Sequence, residues 1–336
     1  MRWQGIHIES AAVVTGEPET AAAAVAAGRY DAEEAARSRQ HSVSVSDGLS
    51  GPELAVAAGR AALRRGGRPA QDIGLLIHAA CWYPGLEFWN VAAYVQQEVL
   101  GHGRALAFEL RQMSNGGMSA LEMAASRLSA APGTGAALLT TGDRFAEPAF
   151  PRWTTDRGLV FGDAGTAVVV SGEPAGFRLV ATAAYSEPVL EGLHRGDEPF
   201  LLSGSEAEPL DLVARKKGFL RRMPVAEVTV RNEAGMLTAV KECLAEAECD
   251  LSSMAAVIVP FFGAELSRRQ CLGPLGVPAE RTLHDWGLEI GHLGAGDQFA
   301  GLARLLEQDG LRPGDRVLAV GVGAGFSWTC AVLERV

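Results

Sequence analysis

An α/β fold built from two similar halves is what this sequence predicts, and three observations predict it. The first is helix-spaced hydrophobicity over residues 53–66 (ELAVAAGRAALRRG), followed by a strand-like run from Ile73 to His78. The second is the same pattern 183 positions later, where residues 236–249 (MLTAVKECLAEAEC) precede Ala255–Val259. The third is a further pair at an offset of 179, in which Gly135–Asp143 is answered by Gly314–Val322. One Ala-rich helix resembles another by chance. Two ordered matches at nearly equal offsets argue duplication.

Between the paired segments lies one apolar helix per half, near Gly117–Leu128 and near Asp297–Leu306. Each half then reads strand, helix, strand, helix, strand, and two further strands. The halves divide near Gly172–Gly176, so residues 1–172 and 173–336 are expected to be two α/β units related by a pseudo-two-fold axis. Two central sheets covered by helices would follow.

The chain has 336 residues, 48% hydrophobic and 21% charged, which is a globular balance and excludes a disordered or collagen-like polymer. The net charge is −10, against the basic surface that nucleic-acid binding needs, so no nucleic-acid partner is expected. Three Lys accompany 27 Arg, a compositional skew that says nothing of function. Five cysteines at wide spacing form no CxxC, which argues against a disulfide framework or a zinc site. The N-terminal residues lack a charged and then apolar leader, and no apolar run reaches about 18 residues. A cytoplasmic protein without a membrane partner is the expectation.

In each half the third strand is expected to run into a glycine-rich turn and a helix. The first turn is Gln112-Met113-Ser114-Asn115-Gly116-Gly117, and the second is Gly291-His292-Leu293-Gly294-Ala295-Gly296-Asp297. A pseudo-two-fold axis would bring the two turns together. A serine hydroxyl needs a base, and the base needs an orienting partner. His292 can be that base, with Asp297 five residues on to hold its tautomer. Backbone N–H groups beside Ser114 at the helix start, and those of Gly321–Phe326, would favour an oxyanion. Each residue also has a structural use: Ser114 as an N-cap, His292 as a satisfied core histidine, Asp297 as a first-turn helix acid.

Other motifs close quickly. Gly321–Gly325 is not GxGxxG and a strand follows it, so no dinucleotide site is expected. Gln112–Gly116 lacks the first Gly of GxSxG, and the order Ser, His, Asp is not that of α/β-hydrolases. The basic run from Arg215 to Arg222, with Lys216, Lys217, Arg221 and Arg222, reads as a solvated helix face or as a dock for an acidic carrier protein or a CoA phosphate.

The residues then carry a resemblance. Glu53–Ile77 and Asn90–Gln96 fit ketoacyl synthase III of the thiolase fold, Phe161–Val169 (FGDAGTAVV) resembles its FGDGAGAVVL signature, and Gly321–Trp328 resembles its GFGAGxTW ending. The likeness runs along essentially the whole chain. It implies a five-layered αβαβα fold, a homodimer, no permanently bound cofactor or metal, and an acyl-carrier-protein phosphopantetheine or CoA thioester as substrate.

The departures from the family pattern are informative. Where the family has its nucleophilic Cys, this chain has Ser114. Where it has VPHQAN, this chain has Val259-Pro260-Phe261-Phe262, with Phe261 in place of His. Where it has GNTSA, this chain has Gly291-His292-Leu293, with His292 in place of Asn. Decarboxylative condensation builds an enolate whose oxygen those His and Asn donors hold. A missing donor costs on the order of 10²–10³ in rate. Acyl transfer through an acyl-enzyme needs no enolate.

The altered pattern resembles a divergent branch of the family that acts in antibiotic biosynthesis, as acyltransferases or starter-unit loading enzymes. That resemblance implies transfer of an acyl group through Ser114 to a sugar or polyketide hydroxyl or to a carrier thiol. It implies an oxyanion hole from the N–H groups of Ser114 and Ala324. It puts Trp89 near the residue that closes the acyl pocket from the other subunit, and pocket size is expected to depend on Trp82, Trp89, Met113, Trp153 and Phe261. No counterpart of the family's CoA-stacking Trp occurs in Tyr30–Gln40, which favours a carrier-bound donor. The competing expectations are a priming ketosynthase, which Phe261 argues against, and a non-catalytic partner of a synthase.

Overall fold

The structure is a computed structural model that describes residues 1–200, 209–308 and 310–336. Nine strands form one sheet: β1 (His7–Thr15), β2 (Ile73–Ala79), β3 (Leu106–Leu110), β4 (Ala136–Asp143), β5 (Ala164–Ser171), β6 (Phe177–Ser186), β7 (Met254–Ile258), β8 (Arg316–Gly323) and β9 (Ser327–Arg335). Their spatial order is β3-β2-β4-β5-β1-β6-β9-β8-β7. The five strands before residue 172 therefore run third-second-fourth-fifth-first, and the later four repeat that order in mirror image without a third strand. The two sets join where β1 meets β6, over only two residue pairs, His7 with Arg178 and Ile8 with Phe177. Two central sheets were the expectation; this short antiparallel junction joins them edge to edge, and they still supply two β layers.

The missing third strand is a second correction. Residues 285–290 were expected to extend and run into the turn, but His284–Ile290 is a helix, and only Thr282 bridges to Val257 of β7. Its buried residues are His284, Gly287 and Leu288, spaced three and four apart, which is a helical rather than an alternating period. Gly287 is required there, because a Cβ would stand 2.8 Å from the Phe261 ring.

Strand side chains alternate between layers. On β4, Ala137 and Leu139 face a central cluster, while Ala136 and Leu138 face an outer one. On β8, Val317 and Ala319 join the same central cluster, while Leu318 and Val320 face the opposite outer layer. Helices α1 (Gly51–Gly66) and α2 (Val91–Val99) fill one outer layer, and α5 (Val225–Glu246) fills the other. Helices α3 (Gly116–Ala130) and α7 (Asp297–Glu307) fill the centre, with α4 (Leu212–Leu220) and α6 (His284–Ile290) at the rim. These are the five layers αβαβα. Each Leu or Val buried in them contributes about 1.5–3 kcal/mol.

Local chemistry sets the helix ends. Ser50 and Glu53 form a capping box at α1, with the Glu53 carboxylate accepting from the Ser50 N–H at 2.8 Å, and Gly67 ends the helix at φ 62°. Helix α5 starts at Val225, eleven positions before the periodic segment noticed in the sequence, immediately after Pro224. Among the described residues, no helix is long and apolar enough to cross a membrane.

Candidate active site

The two central helices start beside each other, and their preceding turns carry the site. Gly116 and Gly117 open α3. A Cβ on Gly116 would lie 2.9 Å from that of Ala79, and one on Gly117 would lie 2.5 Å from the Ala295 carbonyl oxygen. Only glycine lets α3 come this close to the turn before α7. Gly323 does the same for the end of β8, where a Cβ would lie 2.2 Å from the Gln112 carbonyl oxygen.

Met113 immediately precedes Ser114 in the left-handed region, at φ 48°. A non-glycine residue there costs about 1 kcal/mol, and the sharp turn lifts Ser114 out of the chain path. Neither Met113 nor its neighbours match the glycine pattern of a nucleophile turn, so sequence reasoning missed this feature. Asn115 anchors the turn from below, its amide donating to Thr329 Oγ1 at 2.8 Å and to Gln112 Oε1 at 2.8 Å.

Ser114 Oγ is 2.7 Å from His292 Nε2, and His292 Nδ1 is 2.6 Å from Asp297 Oδ2. His292 and Asp297 are 2% and 1% exposed, so this chain of hydrogen bonds is shielded from water. Asp297 also accepts from the N–H groups of Phe261 at 2.8 Å and Leu293 at 2.7 Å, which fixes both carboxylate oxygens. The FGDAG segment straps the histidine from the other side. His292 N donates to the Val160 carbonyl at 2.8 Å, and Gly162 N donates to the His292 carbonyl at 2.9 Å. Asp163 of that segment is fully buried and receives both guanidinium nitrogens of Arg152 at 3.0 Å. The segment around this signature is thus a clamp on the main chain of His292.

A cavity of about 610 Å³ opens over Ser114 and His292. Its inner wall is aromatic and aliphatic, with Trp82, Met113, Phe145, Phe150, Phe161 and Phe262. Phe161 and Phe262 stand edge-on to the imidazole, at 5.4 Å and 5.9 Å between ring centres. Ala324 lines the same cavity. Neither its backbone N–H nor that of Ser114 donates to a backbone acceptor among the described residues.

Two pocket expectations are corrected, those for Phe261 and Trp153. Phe261 is 1% exposed and packs against Trp286 and Gly287, away from the cavity, because its N–H is turned to Asp297. Phe262 takes the wall position. Trp153 is buried against Tyr30 in a separate cluster. Trp89 lies outside this chain's cavity, 37% exposed, with its ring 5.4 Å from that of Tyr94.

The basic run is divided by the helix it sits on. Successive residues of α4 point about 100° apart. Lys216 turns inward to the cavity wall, where its ammonium binds Asp156 Oδ1 and Oδ2 at 2.7 and 2.5 Å. Lys217 faces solvent, and Arg221 and Arg222 are exposed and share Asp197. The outer patch therefore keeps Lys217, Arg221 and Arg222, and Lys216 is a structural cation of the wall. His194 lies beside Lys216, and burial with that neighbouring charge pushes its pKa down to about 4, so it is neutral at pH 7.

Two further residues at the site escaped sequence reasoning. Cys81 lies with its Sγ 3.8 Å from Ser114 Oγ. Burial, with the nearby carboxylates Asp143 and Asp297, holds its thiol well above the usual range and therefore protonated. Asp143, 2% exposed at the end of β4, accepts from the N–H groups of Cys81 and Trp82 at 2.8 Å each and of Ala295 at 3.3 Å. The only sequence signal for it was an acid closing an apolar strand. Among the described residues, no group of three or more His, Cys, Asp or Glu is arranged to hold a metal ion.

Known proteins resemble this chain along most of its length. The family profile described as 3-oxoacyl-[acyl-carrier-protein (ACP)] synthase III C terminal matches residues 244–335. The beta-ketoacyl-[acyl-carrier-protein] synthase III of Roseiflexus castenholzii is 30% identical over 288 residues, covering 84% of this chain and 82% of the relative. That of Nitratidesulfovibrio vulgaris is 28% identical over 296 residues, 86% and 84% of the two chains. Among solved structures, ChlB3, described as an acyltransferase, superposes with a TM-score of 0.93 at 34% identity over 98% of both chains. The 3-oxoacyl-[acyl-carrier-protein] synthase III of Aquifex aeolicus shares the fold, with a TM-score of 0.79 at 20% identity over 98% of this chain and 99% of that one.

Proposed function

The chain belongs to the ketoacyl synthase III family of thiolase-fold enzymes, and from that premise we propose that it is an acyltransferase working through an acyl-Ser114 intermediate. The family carries out acyl transfer and condensation on thioesters. The observation that carries the narrower reading is the continuous hydrogen-bonded chain Ser114–His292–Asp297, together with apolar Phe262 on the cavity wall and Phe261 turned away from it, neither of which can donate to an enolate.

On this reading Ser114 Oγ attacks the thioester carbonyl as its proton passes to His292 Nε2. The tetrahedral oxyanion forms beside the N–H groups of Ser114 and Ala324. Collapse breaks the C–S bond, and the leaving thiolate takes the proton from Nε2. The acceptor, a sugar or polyketide hydroxyl or a carrier thiol, then gives its proton to Nε2 and attacks the acyl-serine. A second collapse returns the ester oxygen to Ser114, which regains the proton. Asp297 keeps the Nδ1–H tautomer and stabilises the imidazolium at each transfer. Cys81 is no rival nucleophile in this scheme, since its thiol is held protonated.

The remaining parts of the reading follow the family. The donor is an acyl-carrier-protein phosphopantetheine or a CoA thioester, and Lys217, Arg221 and Arg222 receive the acidic carrier. Residues 1–172 supply the nucleophile, and residues 173–336 supply the base, its acid partner and the oxyanion loop. The enzyme works as a cytoplasmic homodimer in antibiotic biosynthesis, with Trp89 directed to the partner's pocket.

The test is intact-protein mass after incubation with a panel of acyl thioesters, wild type beside Ser114→Ala. A mass gain lost in the variant is expected. No gain with any donor, or a gain that survives Ser114→Ala, would overturn the acyl-serine. Carbon dioxide release with malonyl-carrier would favour the priming ketosynthase instead.

A further inference from the structure

Asp143 belongs to neither the nucleophile nor its relay, yet it touches both sides of the site. One oxygen holds the Cys81 and Trp82 N–H groups, and these two residues form the cavity wall beside Ser114. The other holds the Ala295 N–H, in the turn that carries His292. That turn is moulded to the carboxylate, because a Cβ on Gly294 would stand 2.3 Å from Asp143 Oδ2. Ala295 and Asp143 are 152 positions apart in the chain, so this one side chain ties the Cys81–Trp82 wall to the turn that carries His292.

We propose that Asp143 is a positioning residue for acyl transfer, which sets the Ser114–His292 contact by fastening the turn of His292 to the cavity wall beside Ser114 and supplies a second negative charge to the imidazolium. The inference rests on the acyl-serine reading above. As Ser114 gives up its proton, His292 becomes positive inside a dry site, where a nearby anion counts for much more than in water. Asp297 supplies the first anion directly. Asp143 supplies the second from its place against Gly294 and Ala295, in the turn that carries His292. Burial raises the Asp143 carboxyl pKa, and the N–H groups of Trp82, Cys81 and Ala295 together with a charged His292 oppose that rise in part. The other ionisable groups that face this cluster are the Cys81 thiol and Arg111. The rings of Phe161 and Phe262 against the imidazole are uncharged.

The experiment follows the rate of acyl-enzyme formation against pH, by rapid-quench mass spectrometry, with an acyl thioester that labels the wild type but not Ser114→Ala. Asp143→Asn keeps an oxygen for Cys81 and Trp82 and removes the charge. Acylation needs an unprotonated base, so the rate is expected to rise with pH to a plateau. Losing an anion disfavours the positively charged form of the site, so the midpoint of that rise is expected to move to lower pH. The plateau is expected to fall about tenfold, with donor half-saturation unchanged. Asp143→Ser repeats the measurement with a smaller neutral group, in case the amide is not accommodated, and wild-type circular dichroism qualifies either variant. An unmoved midpoint in a folded variant, or an unchanged plateau, overturns the proposal. If every thioester that labels the wild type also labels Ser114→Ala, the acyl-serine reading itself is overturned, a result distinct from either.

Discussion

Ser114 Oγ and His292 Nε2 lie 2.7 Å apart although 178 positions separate them in the chain. Three glycines make the approach possible, Gly116 and Gly117 at the start of α3 and Gly294 before α7, since a Cβ on any of them would stand 2.9 Å or less from an atom of the neighbouring segment. Gly117→Ala is expected to remove acyl-enzyme formation while most secondary structure persists, because the new methyl would press on the Ala295 carbonyl and spread the two turns. Rapid-quench labelling beside far-ultraviolet circular dichroism separates the two effects.

Asp297 orients the imidazole through a 2.6 Å bond and also accepts two backbone N–H groups. Asp297→Asn would turn an amide N–H toward at least one of these donors and favour the wrong histidine tautomer. A fall in the acylation rate on the order of 10⁴ is expected, with donor binding largely retained. A variant within tenfold of wild type would remove the orienting role.

Phe261 stands at the sequence position where the family carries its donor histidine, but its ring is buried away from the cavity. Phe261→His therefore should not restore condensation. It should bury an imidazole among Ala164, Leu293 and Ala300 and lower stability by about 2–4 kcal/mol. Urea denaturation and carbon dioxide release from malonyl-carrier check the two halves of this statement.

Arg152 and Asp163 form a buried bidentate pair within the clamp on His292. Arg152→Ala would leave a carboxylate buried without its counter-charge. The expected loss of stability is about 3–5 kcal/mol, read as a lower urea midpoint.

Acid sensitivity follows from two histidines. Burial pushes His78 and His194 down to about 4, below the 6.5 of an exposed imidazole. Between these values the unfolded chain binds protons that the folded chain refuses. Stability from these groups is therefore present above pH 6.5 and falls as pH drops toward 4, by roughly 3 kcal/mol for each residue at the lower end. Urea midpoints at pH 7 and pH 5 measure it, and the double variant His78→Gln, His194→Gln should flatten the dependence.

Periodicity and repetition made the layers legible from sequence alone. The helical spacing of residues 53–66 and the strand at Ile73–Ala79 are found within a residue or two of their expected limits, as is the later pair Asp297–Glu307 and Arg316–Gly323. Residue type in register also identified Ser114, His292 and Asp297 as candidates, because a serine, an imidazole and a carboxylate at repeated turns have a chemistry in common. Such patterns are local, and local patterns survive without coordinates.

Tertiary structure decided what local patterns cannot encode. It turned Phe261 into the core and Phe262 into the cavity, a choice between adjacent residues set by the bond from the Phe261 N–H to Asp297. It drew Lys216 away from the basic patch to Asp156, through the helical angle between Lys216 and Lys217. It gave Asp143 its place between Cys81, Trp82 and Ala295, which only the packing of β4 against the second turn brings together. Burial and long-range hydrogen bonding depend on which segments meet, and the meeting of the two turns is a property of the folded chain alone.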